Sequence, residues 1–248
     1  MVLVVYLRSG VYFSVMSIIW AVLGAVAGSV ANAVIDRLPR RESWFTGRSK
    51  CDKCKHELGV VDLVPVLSYL SLGGKCRYCR KPIAVRNLLV ELSMIFGFLA
   101  LSTWPLALIF WVTVVIAVMD FETMLVSDWL VGLWFVLTLF TMNYELITMN
   151  LLGAAVAVGV IGGLWVLTKK RGMGDGDIGI AAVMGYWLGW PRVAPALWIS
   201  FVAGAVYGLW LIVHGRAKMK SQIPFGPFLI IGAWIGYVWG DKFIKMFF

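Results

Sequence analysis

The chain has 248 residues, of which 61% are hydrophobic and only 14% charged, and its mean hydropathy is +0.87. A soluble domain carries roughly 25% charged residues, so the composition excludes an ordinary soluble enzyme and points to a polytopic membrane protein. The net charge of +9 would favour nucleic acid as a partner in a soluble protein, but here the basic residues are sorted by loop, and no nucleic-acid partner is expected.

Eight apolar segments follow one another, at about 11–35, 87–103, 105–119, 129–142, 150–168, 178–190, 194–213 and 225–241. A span needs about 20 apolar residues, and several of these segments are short. The fold expected is all-α and polytopic, with about eight transmembrane helices and a small cytosolic zinc-binding domain between the first and second. This gives three parts: residues 1–35 as the first transmembrane helix, 36–86 as the cysteine domain, and 87–248 as a membrane-embedded core. Ala31-Asn32-Ala33 has the spacing of a signal-peptide cleavage site, but its apolar stretch exceeds a signal core of 7–15 residues, and the positive charge follows rather than precedes it. The first helix is therefore expected to be retained.

With the loop after the first segment in the cytosol, the loops 36–86, 120–128, 169–177 and 214–224 share one side and hold eighteen of the 22 Lys and Arg residues. Basic residues stay on the cytosolic side, so both termini should face outward.

All four cysteines lie in 36–86, as Cys51-Asp52-Lys53-Cys54 and Cys76-Arg77-Tyr78-Cys79. Two such knuckles present four thiolates to one tetrahedral Zn²⁺. Two disulfides are the alternative, and a reducing cytosol opposes them. His56 stands nearby, but four cysteines already complete a site.

The acids cluster at membrane edges. Asp120, Glu122 and Asp128 crowd the short loop after the third segment, and Asp175 and Asp177 lie in Arg171-Gly172-Met173-Gly174-Asp175-Gly176-Asp177, just before the sixth. Acids there are costly and tend to be functional. Two carboxylates held together share a proton, so one takes a proton from water while the other donates a hydrogen bond to a carbonyl, as in aspartyl proteases. Gly172, Gly174 and Gly176 would let a substrate backbone approach and the chain turn. Ser127-Asp128 also fits a plain N-terminal helix cap. The glycine run lacks the following Lys-Ser/Thr of a phosphate loop.

Taken together, the motifs resemble the type IV prepilin peptidases, bacterial inner-membrane aspartyl proteases with a Gly-x-Gly-Asp signature. Gly28 to Pro39 is similar to the family's end of helix one, and the two knuckles to its zinc domain. Val64-Pro65-Val66-Leu67-Ser68-Tyr69-Leu70, Gly74-Lys75-Cys76-Arg77, Glu91, Gly172 to Asp177 and Ile223-Pro224-Phe225-Gly226-Pro227-Phe228 follow its pattern in order. The resemblance implies Asp120 and Asp177 as the catalytic pair, with Asp128 as the reserve partner and Asp175 at a variable position. The chain departs from the family at Val126-Ser127, where Leu-Pro is usual, at Gly179, where lysine is common, and at Asp62, where asparagine is common.

The resemblance further implies cleavage of a basic leader from prepilins or pseudopilins at the cytosolic face of the inner membrane. It also implies N-methylation of the new terminus with S-adenosylmethionine, a structural Zn²⁺ on Cys51, Cys54, Cys76 and Cys79, and the lipid bilayer as surroundings. Glu122 and Asp128 are placed to attract the basic leader. The rival readings are a transporter or channel using the acids as an ion path, a non-enzymatic assembly protein binding partners through its zinc knuckles, and a peptidase without methylation.

Overall fold

A computed structural model describes residues 15–141, 144–169, 173–216, 218 and 221–247. The first residues of the expected first segment, and Arg171 and Gly172 of the glycine-rich run, lie outside the described residues. Nine α-helices are present among those described: α1 Val15–Arg37, α2 Leu67–Ser71, α3 Val85–Leu101, α4 Trp104–Thr123, α5 Asp128–Thr138, α6 Ile147–Leu167, α7 Asp175–Leu188, α8 Val193–Val213 and α9 Gly226–Phe247. The only β-pairing among them is two isolated bridges.

Four helices are long and apolar enough to cross a membrane: α1, α4, α6 and α8. The other apolar segments are helical but differ in kind. At about 1.5 Å per residue, the 11-residue α5 reaches only about 16 Å, roughly half a 30 Å hydrocarbon layer. The 14-residue α7 is also short. Helix α9 has 22 residues but ends in charge at Asp241, Lys242 and Lys245. The protein is therefore an all-helical integral membrane protein with four candidate spans among the described residues.

The chain divides into two compact units, Met1–Val115 and Ile116–Phe248. In the first, α1 packs along α3. Gly24 and Gly28 sit one turn apart on the contact, where an added Cβ would lie 2.7 Å from the Met94 carbonyl oxygen or the Glu91 Cα. Small residues at this spacing let helix backbones touch, which matters in lipid because apolar side chains gain little by leaving it. Trp111 Nε1 donates to the Ala27 carbonyl at 2.8 Å and Asn32 Nδ2 to the Asn87 carbonyl at 3.0 Å. Helix α1 stops just before Pro39, which cannot supply an amide hydrogen and disfavours helix in the residue before it.

In the second unit α7 packs against α6, α9, α5 and α8. This explains why so short a helix is so apolar, with Ile180, Ala181, Val183, Met184, Trp187 and Leu188 all buried. Gly153 of α6 and Gly185 of α7 face each other, and a side chain on either would strike the other's carbonyl. At the far end of α7, Trp187 stacks on Tyr237 at 4.7 Å and meets Trp134 and Trp234 edge-on. Its indole N–H donates to Thr141 Oγ1 at 3.2 Å.

Candidate functional site

The cysteine lobe is one local turn built twice. In the first copy the Cys51 N–H donates to the His56 carbonyl and the Lys55 N–H to the Cys51 carbonyl. In the second, the Cys76 N–H donates to Lys81 and the Arg80 N–H to Cys76. Each turn closes on a bridge, Lys50 with Glu57 and Lys75 with Pro82, and each passes through a left-handed residue, Lys55 (φ 61°) or Arg80 (φ 57°).

The four Sγ atoms all lie within 4.8 Å of one another, and Cys51 Sγ is 3.9 Å from Cys79 Sγ. Four thiolates at about 2.3 Å from one Zn²⁺ stand about 3.8 Å apart, so the residues fit a metal such as zinc. The cysteines are free rather than disulfide-bonded. A hydrogen bond from the Cys54 backbone is the largest influence on Cys51 and helps bring that thiol down to about 7, while Cys79 in the same cluster is pushed up to about 11. His56 takes no place in the cluster and packs its ring on Tyr78 at 3.7 Å.

Asp62, one of the departures from the family pattern, has a partner set here. It accepts from Arg77 Nε at 2.6 Å, Tyr78 Oη at 3.1 Å and the Gly59 N–H at 3.1 Å. The Arg77 hydrogen bond holds its carboxyl below the ordinary value. A neutral asparagine could not form this ion pair.

The acids of the second unit separate into buried and exposed. Asp120 was expected in a loop; instead α4 continues to Thr123 and carries Asp120 in its last turns, 5% exposed. The helix runs on because Asp120 finds a partner within the fold, the Gly226 N–H, which donates to its Oδ2 at 3.0 Å. Asp177 also lies inside a helix, in the first turn of α7, and is 5% exposed. Its Oδ2 accepts the Gly174 N–H at 3.0 Å, the return half of a capping box. Both belong to the second unit, and the Ile180 side chain, one turn on from Asp177, reaches the same Gly226 whose N–H holds Asp120.

The remaining acids are exposed. Asp175 Oδ1 accepts the Trp165 indole N–H at 2.7 Å, which ties the glycine-rich turn to α6. Glu122 is exposed at the end of α4. Asp128 opens α5 after Ser127, which occupies the cap position without a side-chain cap bond.

Two glycines have packing roles. A side chain at Gly176 would strike Val126, so its bareness seats the α4–α5 connection. Gly226, read in the sequence only as part of a family-like run, sits against the acid: an added Cβ would lie 2.7 Å from Asp120 Oδ2 and 3.0 Å from Ile180 Cδ1. Its one visible signal was a glycine between two prolines and two phenylalanines in Pro224-Phe225-Gly226-Pro227-Phe228.

A membrane protein with two buried carboxylates in its helices and a four-thiol cluster able to hold a metal defines a narrow class, and the comparisons with known proteins agree with it. Residues 22–104 match the Bacterial Peptidase A24 N-terminal domain, and residues 107–209 match the Type IV leader peptidase family. A prepilin leader peptidase/N-methyltransferase of Aeromonas salmonicida (strain A449) is 33% identical over 230 residues, covering 84% of this chain and 76% of that protein. The protein of the same name from Pseudomonas putida is 35% identical over 216 residues, covering 78% and 73%. That from Stutzerimonas stutzeri is 31% identical over 261 residues, covering 89% and 90%. No solved structure matches the chain. The chain belongs to the type IV leader peptidase family.

Proposed function

We propose that this protein cleaves the basic leader of type IV prepilins or pseudopilins with Asp120 and Asp177, and N-methylates the terminus that cleavage exposes. The observation that carries the reading is that, of five acids crowded near helix ends, these two are buried and the other three exposed.

The chemistry follows from the pair. One carboxylate, ionised, takes a proton from the attacking water. The other, protonated, donates a hydrogen bond to the scissile carbonyl and stabilises the oxyanion as water adds. The proton then passes to the leaving amine, and the pair returns to sharing one proton, so its titration belongs to both groups. Gly226 and Gly174 each fix one carboxylate by a backbone hydrogen bond.

The apolar helix of a prepilin would lie in the bilayer with its cytosolic end beside the pair, while Glu122 and Asp128 attract the basic leader by charge. In this reading the protein sits in the bacterial inner membrane with both termini outward. All eight apolar helices belong to the embedded body, the short α5 and α7 sheltered by their neighbours. Residues 1–35, 36–86 and 87–248 serve as first helix, zinc domain and protease core.

Zinc held by Cys51, Cys54, Cys76 and Cys79 would be structural, since four thiolates leave no open position for a reactant. S-adenosylmethionine would supply the methyl group on its sulfonium centre. The test is incubation of membranes containing the protein, with and without this donor, with a prepilin, and mass measurement of the product. The expected product has lost its leader in both cases and gained one methyl group only with the donor. An uncut prepilin would overturn the peptidase reading, and a cut but unmethylated one the methylation reading.

A further inference from the structure

The first unit holds an open cavity of about 1140 Å³ between the cysteine lobe and helices α1 and α3. Small-molecule sites occupy roughly 300–1,000 Å³, so a nucleoside-sized ligand has room. Two side chains in its wall lack the partners their chemistry calls for.

The first is Asn32, 8% exposed, the one buried polar side chain of α1 among the described residues. Its amide nitrogen is used, but its Oδ1 is buried and accepts nothing. A buried acceptor without a donor is costly to keep. The second is Glu91, midway along α3. It accepts the Val66 N–H at 2.7 Å. Among the described residues no Lys or Arg pairs with it.

The two are fixed against each other. Gly28, one turn before Asn32, lets α1 touch the backbone of Glu91. One turn beyond Asn32, Asp36 also lines the cavity and is already paired with Arg86 at 2.7 Å. The open positions are thus an acceptor oxygen and a carboxylate side by side. A cationic group bearing N–H donors satisfies both.

We propose that this cavity binds the methyl donor, S-adenosylmethionine, with its α-ammonium received by Glu91 and Asn32 Oδ1. The proposal rests on the methylation reading above. The free amine of a trimmed pilin shares the ammonium chemistry, but the size of the cavity favours a whole nucleoside over a chain end.

The experiment is equilibrium dialysis of radiolabelled S-adenosylmethionine against the full-length protein in detergent micelles, with size-exclusion profiles as the check on folding. Glu91→Gln keeps the shape and removes the charge, so affinity should fall ~10-fold or more. Asn32→Ala removes the acceptor and leaves the carboxylate, so affinity should fall several-fold. Either variant carries the test if the other does not fold. Ultraviolet cross-linking of the labelled donor to the unaltered protein needs no variant and should label peptides within residues 29–91.

Wild-type affinity in both folded variants, or cross-links only outside 29–91, would overturn this site while leaving methylation intact. Absence of any donor binding by the unaltered protein would overturn both. A mature-pilin peptide that binds in a Glu91-dependent way while the donor does not would reassign the cavity to the substrate amine and overturn the proposal.

Discussion

The cysteine lobe and the acid pair assemble their polar groups in opposite ways. In the lobe, the ligands come from two copies of one short turn, each closed by its own backbone hydrogen bonds. In the acid pair, Asp120 and Asp177 come from different helices, and each carboxylate is fixed by a single backbone N–H. Local spacing builds the first, whereas helix packing builds the second. The first should therefore depend on metal and tolerate changes elsewhere, while the second should respond to small changes in packing at Gly226 or Gly176.

The largest effect expected from this contrast is on the lobe. Structural zinc sites contribute on the order of 10 kcal/mol to folding, so chelation or Cys54→Ser should unfold residues 38–84. Limited proteolysis should then cut in that region, and a cleavage pattern indifferent to chelator would mean the turns stand without metal.

Next comes Gly226→Ala. The added methyl keeps the N–H but displaces Asp120, and a misplacement near 1 Å costs about 10²-fold in rate. Prepilin cleavage should fall by about that factor with protein levels unchanged. Full activity would show that Asp120 does not need this seat.

A smaller effect is expected for Glu122→Gln with Asp128→Asn. Cleavage of basic leaders should weaken several-fold at low salt, and the loss should fade as salt screens the attraction. A loss independent of salt would point to a structural role instead. The smallest change belongs to Asp175→Asn, whose amide oxygen still accepts from Trp165. Its activity should stay within about twofold of the parent, because the tie to α6 is worth only about one ordinary hydrogen bond.

How much of this was legible in the sequence follows the same contrast. The knuckles could be read from Cys-x-x-Cys spacing because their geometry is local. The apolar segments marked every long helix, since hydropathy reports burial in lipid or protein alike. Hydropathy could not separate the four candidate spans from the short α7, which is apolar because four helices pack around it. Nor could it place the end of α4. Glu122 and Thr123 look like loop residues, but the helix carries on past Asp120, whose partner Gly226 lies 106 residues away.

The burial that separates Asp120 and Asp177 from Glu122, Asp128 and Asp175 is likewise a tertiary fact. Asn32 and Glu91 did leave a signal, as polar groups inside apolar helices. Their meeting depends on Gly28, and a bare glycine in an apolar helix does not announce what it touches.

The most direct measurement of the central claim is the rate of prepilin cleavage by purified Asp120→Asn and Asp177→Asn, each nearly isosteric with its parent. With inserted and folded protein, each should lose ~10³-fold or more, because an amide can neither take the proton from water nor share one with its partner. Near-parental cleavage by either variant would contradict the assignment of the pair.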